Sequence, residues 1–123
     1  MRGVTEHPLV VHGDDRGQLL KAHPAAVEGE VYVITAVPGA SRGHHLHRRT
    51  TEVFVAVSGQ GVIGLVDPDS GAVEHRTLTG RLEVGPGIAH AIFNVGEEEL
   101  IVVAAMDRAH DPGDVVAYEV PAP

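Results

Sequence analysis

Gly39-Ala40-Ser41-Arg42-Gly43-His44-His45-Leu46-His47-Arg48-Arg49-Thr50-Thr51-Glu52 is the most informative segment of the chain. His45 and His47 stand two apart, so on a β-strand both rings point to one face. The next four residues, Arg48 to Thr51, read as a turn, and Glu52 opens a further strand over Glu52–Ser58. On that strand Glu52, Phe54 and Ala56 share a face. A carboxylate at the head of an otherwise apolar face is costly to bury unless it is paired or bound to a cation.

A third imidazole lies downstream in Gly87-Ile88-Ala89-His90-Ala91-Ile92-Phe93-Asn94. His90 shares its face with Ile88, Ile92 and Asn94, while Ala89, Ala91, Phe93 and Val95 take the other. A polar ring among aliphatic neighbours needs a partner. His45, His47, Glu52 and His90 would supply one another's partner by sharing one metal ion. His7, His12, His23, His75 and His110 have no such context and read as surface histidines.

The rest of the chain is a series of short apolar runs between turn signals. Val31–Val37, Glu52–Ser58, Val62–Val66, Val73–Leu78, Arg81–Val84, Ile88–Val95 and Leu100–Met106 are seven expected strands. Pro38-Gly39, Gly59-Gln60-Gly61, Asp67-Pro68-Asp69-Ser70-Gly71 and Gly85-Pro86-Gly87 separate them. Weaker signals stand at Gln18–Leu20 and Val115–Tyr118, and the first thirty residues and last dozen read as edge strands or arms. No long amphipathic helix, linker or domain break is visible, so an all-β sandwich, jelly roll or barrel in a single domain over 1–123 is expected. The apolar 43% is dominated by Val, Ile, Leu and Ala, which suits pleated surfaces.

Charge and composition exclude several functions. The formal net charge of −8 argues against nucleic acid or anionic membrane as a partner. Five of the nine basic residues nevertheless fall in the middle third, Arg42, Arg48, Arg49, Arg76 and Arg81, where a local patch would hold a small phosphorylated ligand. There is no Cys, which rules out disulfides, zinc thiolates and cysteine nucleophiles and fits a cytoplasmic protein. Met1 to Val11 carries no apolar signal-peptide core, and no run approaches the roughly 18 apolar residues of a membrane span.

The spacing closely resembles the two cupin motifs. Gly39, His45, His47, Glu52 and Gly59 meet every position of the first, and Gly87, His90 and Asn94 fit the second. The second departs in one turn residue: Gly85 stands at the expected proline, with Pro86 one place late. The resemblance implies a double-stranded β-helix, a jelly-roll barrel with the histidine and glutamate ligands at its centre. Arg42-Gly43-His44-His45-Leu46-His47 is further similar to the Arg-Gly-x-His-x-His signature of cupins acting on nucleotide-linked keto sugars. Asp15-Arg16-Gly17 near the start, and Asp111-Pro112, Asp114 and Tyr118 near the end, resemble the same group.

Two subgroups share these features. The sugar 3,4-ketoisomerases are metal-free, usually lack the glutamate, and use the two histidines as acid and base. The C-terminal cupin of capsular polysaccharide epimerase/reductases keeps the glutamate and binds zinc, and Glu52 favours it. The resemblance therefore implies a stand-alone, metal-dependent isomerase or epimerase of a nucleotide-linked 4-keto sugar in polysaccharide biosynthesis. Zinc is the expected metal, although the donor set also suits Fe, Mn or Ni. Tyr32, His44 and His47 are the candidates for proton transfer, and Arg42 and Arg76 for the diphosphate. Two other classes use the same four ligands: Fe(II) dioxygenases and cupins that bind small molecules without catalysis. Small cupins often pair or exchange edge strands, so a homodimer is expected.

Overall fold

Valine-rich runs punctuated by glycine and proline fold as strands throughout the computed structural model, which describes residues 1–123. Twelve strands follow in order: β1 (Val4–His7), β2 (Val10–Asp14), β3 (Gly17–Lys21), β4 (Val31–Ala36), β5 (Ser41–His47), β6 (Glu52–Ser58), β7 (Gly61–Asp67), β8 (Ala72–Thr77), β9 (Arg81–Val84), β10 (Ala89–Asn94), β11 (Leu100–Met106) and β12 (Val115–Ala117). A single 3-10 turn, Pro112–Asp114, precedes β12. No helix is long and apolar enough to cross a membrane.

The seven expected strands are present as β4 and β6 to β11 with ends shifted by a residue or two, β5 carries the His45 and His47 spacing, and β3 and β12 occupy the two weaker sites. Missed as distinct elements were β1 and β2, which lie in the segment read as loose. β1 is only four residues, Val-Thr-Glu-His, and it gains its place by antiparallel pairing to β9. Its identity comes from that partner and not from local pattern.

Two five-stranded sheets face each other, ordered β1-β9-β6-β11-β4 and β12-β5-β10-β7-β8. Alternate side chains from both meet in one core, with Phe54, Ile63, Leu65, Leu82, Ile92 and Leu100 among its members. The expected all-β architecture is thus borne out. β2 and β3 form a separate hairpin that pairs with neither sheet. On the outer side of the first sheet Val31, Val33 and Val57 are 58%, 62% and 45% exposed. The outer side of the second sheet is covered instead by the chain's last residues: Val120 packs with Val66, Ala89 and Ala91.

The feature that aims the site is a bulge between β5 and β10. His90 pairs with His45, but the next pair is Ala91 with Gly43, which leaves His44 as the extra residue. His44 takes φ 59 and Gly43 takes φ 112. Without the bulge Arg42 and His45, three apart, would point to opposite faces. With it, Arg42 (paired with Ile92) and His45 (paired with His90) both face the barrel interior. Gly43 is required here twice over, because a Cβ would also meet the His90 carbonyl oxygen at 3.0 Å. Gly43→Ala is expected to destabilise the fold by about 1–3 kcal/mol. Urea unfolding at neutral pH checks this, and a variant as stable as the parent would show that the bulge is not strained against a side chain.

Candidate metal centre

Four side chains converge where β5, β6 and β10 face one another. His45 and His47 come from the end of β5, Glu52 from the head of β6, and His90 from β10. One donor atom of each lies within 4.8 Å of all the others. His47, Glu52 and His90 are buried and His45 is half-buried. The His45 ring centroid is 4.9 Å from that of His90 and 5.1 Å from that of His47. The four expected ligands are therefore brought to one point.

Hydrogen bonding within the cluster is incomplete. His47 Nε2 lies 3.1 Å from Glu52 Oε1, and His47 Nδ1 lies 3.1 Å from Asp114 Oδ2. Burial pushes the His47 imidazole down, against the pull of Asp114, so the ring is favoured in its neutral form. A neutral ring carries one N–H. Donated to Asp114, it leaves a lone pair on Nε2 facing the Glu52 oxygen. His90 Nδ1 is 3.2 Å from the Ile88 carbonyl, whereas His90 Nε2, 3.3 Å from Glu52 Oε1, is the one buried side-chain polar atom with no hydrogen-bond partner. Lone pairs converging on one point, with an orphaned imidazole nitrogen among them, fit a divalent cation. Burial pushes His45 down to about 4, with His90 and His47 adding to the effect, so the ring is neutral at pH 7 and keeps one unprotonated nitrogen to offer a cation.

Asp114 fixes this arrangement from behind. It sits in the 3-10 turn, 1% exposed, and accepts from the Thr50 hydroxyl, the Arg49 backbone N–H at 2.6 Å and His47. Burial would raise its carboxyl, but the Thr50 hydroxyl, the Arg49 amide and His47 outweigh burial and hold it at about 2. A carboxylate behind an imidazole sets the tautomer and orientation of a ligating ring. The sequence offered Asp114 only as part of a C-terminal pattern, with no role attached. Thr50 was hidden in the turn before Glu52.

The remaining candidates divide. Tyr32, on the inward face of β4, lines a cavity of about 210 Å³ with Arg42, His45, Glu52 and His90. Arg42 forms no ion pair, unlike Arg49, which holds Asp111, and Arg76. His44 and Arg76 are not brought to the cluster. As the bulged residue, His44 points to the opposite side of the sheet, edge-on to Phe93 at 5.7 Å between ring centroids. Both its nitrogens are occupied there: Nε2 meets Ser41 Oγ at 2.9 Å, and Nδ1 accepts the Val120 N–H at 3.1 Å. Arg76 sits on β8, beyond β7 from the cluster, and its guanidinium is held by Glu74 at 2.9 Å. His44, expected as a base, and Arg76, expected as a diphosphate ligand, thus stand apart from the four converging side chains. His75, expected at the surface, binds the Pro121 carbonyl at 2.8 Å and helps hold the C-terminal segment.

The model of the polysaccharide biosynthesis C-terminal domain family matches residues 12–118. The chain belongs to this family. A member-like relative is a UDP-2-acetamido-2,6-beta-L-arabino-hexul-4-ose reductase of Pseudomonas aeruginosa, 30% identical over 109 residues that span 85% of this chain and 29% of that protein. The chain thus spans about a third of the length of that relative. Among solved structures, the capsular polysaccharide assembling protein CapF of Staphylococcus aureus is similar over 93% of this chain and 35% of its own, with 28% identity and a TM-score of 0.71. A dTDP sugar isomerase of Desulfovibrio desulfuricans shares the fold over 98% of this chain and 87% of its own, at 20% identity and a TM-score of 0.86. The cupin resemblance and the jelly-roll fold are borne out by these matches.

Asp114 supplies a pH test of the family site. Its carboxyl moves from an ordinary 3.8 to about 2 on folding, so its stabilisation is present above pH 4 and fades as pH falls towards 2. Asp114→Asn should unfold more easily in urea at pH 7, by roughly 1–3 kcal/mol, the worth of hydrogen bonds to a buried charge. At pH 2.5 the gap between variant and parent should narrow. A gap of equal size at both pH values would show that the charge on Asp114 contributes nothing.

Proposed function

We propose that this chain is a metal-dependent cupin that isomerises or epimerises a nucleotide-linked 4-keto sugar in polysaccharide biosynthesis. The observation that carries the reading is the orphaned His90 Nε2 beside Glu52, at a cavity that also presents Tyr32 and the unpaired Arg42. Family membership and a relative named for a UDP-linked hexulose support the substrate class. His45, His47, Glu52 and His90 are the proposed ligands, with zinc the expected ion and Fe, Mn or Ni compatible with the donors.

A divalent cation held there supplies Lewis acidity towards a substrate ketone. The rest is done by the chain. A 4-keto group acidifies the neighbouring C3–H, so a base must take that proton and a donor must return one to the resulting enediolate. Tyr32 is the candidate for this exchange because its side chain lines the cavity without being one of the four ligands. Asp114 keeps the N–H of His47 at Nδ1 and so keeps Nε2 turned to the cluster. Arg42 offers a bidentate donor to the diphosphate. The chain is taken as one cupin unit working in the cytoplasm.

A second copy of the chain is proposed to cover the outer face of the first sheet. Val31, Val33 and Val57 form a bare aliphatic surface there, and an uncovered apolar sheet face favours association. Sedimentation should give a homodimer that Val33→Asp converts to monomer, and a monomeric parent protein at micromolar concentration would sink this part of the proposal.

Metal content of the protein as purified without chelator, read by inductively coupled plasma mass spectrometry, comes first. Near-stoichiometric zinc supports the proposal. Iron together with oxygen uptake would replace it with a dioxygenase, and no metal, with none taken up on dialysis, would remove the Lewis acid and leave His45 and His47 as an acid/base pair. Proton exchange at C3 of a dTDP-linked 4-keto-6-deoxy sugar in deuterated solvent is then followed by NMR. His47→Ala should slow exchange by about two orders of magnitude or more, and unchanged exchange would overturn the assignment of the site.

A further inference from the structure

The cluster opens to solvent on two sides of Tyr32. One lobe, about 210 Å³, holds Arg42. The other, about 440 Å³, holds Glu30 and His110, with Met106 and Val115 as its apolar walls. Tyr32 and His45 line both lobes. The larger lobe falls in the size range of small-molecule sites, roughly 300–1,000 Å³, and the smaller suits a compact anionic group.

His110 reads in the sequence as an ordinary surface histidine, and its loop explains why it is more than that. The segment after β11 is clamped to Gly29 and Glu30. A Cβ on Gly29 would collide with the Met106 carbonyl and with the Arg108 backbone, so only glycine permits this approach. The Met106 N–H donates to the Glu30 carbonyl at 2.8 Å, and the His110 N–H donates to the Glu30 carboxylate. Asp107 and Thr51 bind each other reciprocally, backbone N–H to carbonyl and backbone N–H to carboxylate, both at 3.2 Å. His110 is thereby held at the rim of the cavity that His45 and His47 also line.

The two lobes differ in what they accept. Arg42 carries a guanidinium with no ion-pair partner, which suits an anion. Glu30 carries a carboxylate with no cationic partner, which repels an anion and accepts hydrogen bonds from hydroxyl or amide groups. His110 adds a ring that donates or accepts. We propose that Glu30 and His110 form a subsite for the uncharged, hydroxyl- or amide-bearing part of the ligand, opposite the anion at Arg42, and so select which sugar is taken. This rests on the nucleotide-sugar reading above, and it goes further by assigning the two ends of the ligand to two ends of the cavity.

Calorimetric titration of the purified protein with UDP and with UDP-N-acetylglucosamine tests it. His110→Ala should weaken the nucleotide sugar about tenfold, the effect of losing roughly one hydrogen bond, and leave UDP unchanged. Glu30→Gln keeps an acceptor oxygen for the His110 amide, so the rim stays in place, and it should also weaken only the nucleotide sugar. Arg42→Ala should weaken both ligands alike. If Arg42→Ala weakens both while His110→Ala and Glu30→Gln change neither ligand, or change both equally, the subsite is overturned and the nucleotide-sugar reading stands. If the parent protein binds neither probe, that reading falls and the subsite falls with it.

Discussion

A carboxylate buried to 1% exposure among three imidazoles is the constraint around which this barrel is arranged. Glu52 stands on the same face as Phe54, whose ring lies 5.3 Å from that of His90, so the polar cluster and the apolar core are continuous. An isolated charge in that position would be prohibitively unfavourable. Every element nearby answers to it. β5 brings two rings, β10 brings one, and the C-terminal turn brings the carboxylate that orients His47.

The balance of charge in the cluster explains its bias towards neutral ligands. Burial disfavours the protonation of His45 and His47, and the neighbouring imidazoles act in the same direction. For His45, whose imidazole drops from an ordinary 6.5 to about 4, the unfolded chain binds more protons through that window. Acid therefore works against both the fold and the ligand set before it reaches Asp114.

Much of this was legible in the sequence because strand parity is simple. His45 and His47 two apart, then Glu52 after a turn, can face one point only if both segments are strands. His90 among Ile88 and Ile92 announces itself by polarity. What parity could not supply was the bulge. His44 looks equivalent to its neighbours in a histidine-rich run, and only the skipped pairing with β10 shows that it turns outward. The pairing of Arg76 was equally hard to read: Glu74 is two residues away, hence on the same face of β8, and holds it locally. Asp114 and His110 lie in irregular segments with no periodicity to interpret. Their roles come from contacts with residues more than sixty positions earlier.

The bond from Asp114 to His47 spans 67 residues, so the orientation of one ring depends on nearly the last element of the chain. Without that contact the three imidazoles and Glu52 would still stand together on β5, β6 and β10, and His47 would lose the partner that fixes its Nδ1. Damage confined to that turn would leave a barrel that looks intact and a centre that has lost its aim.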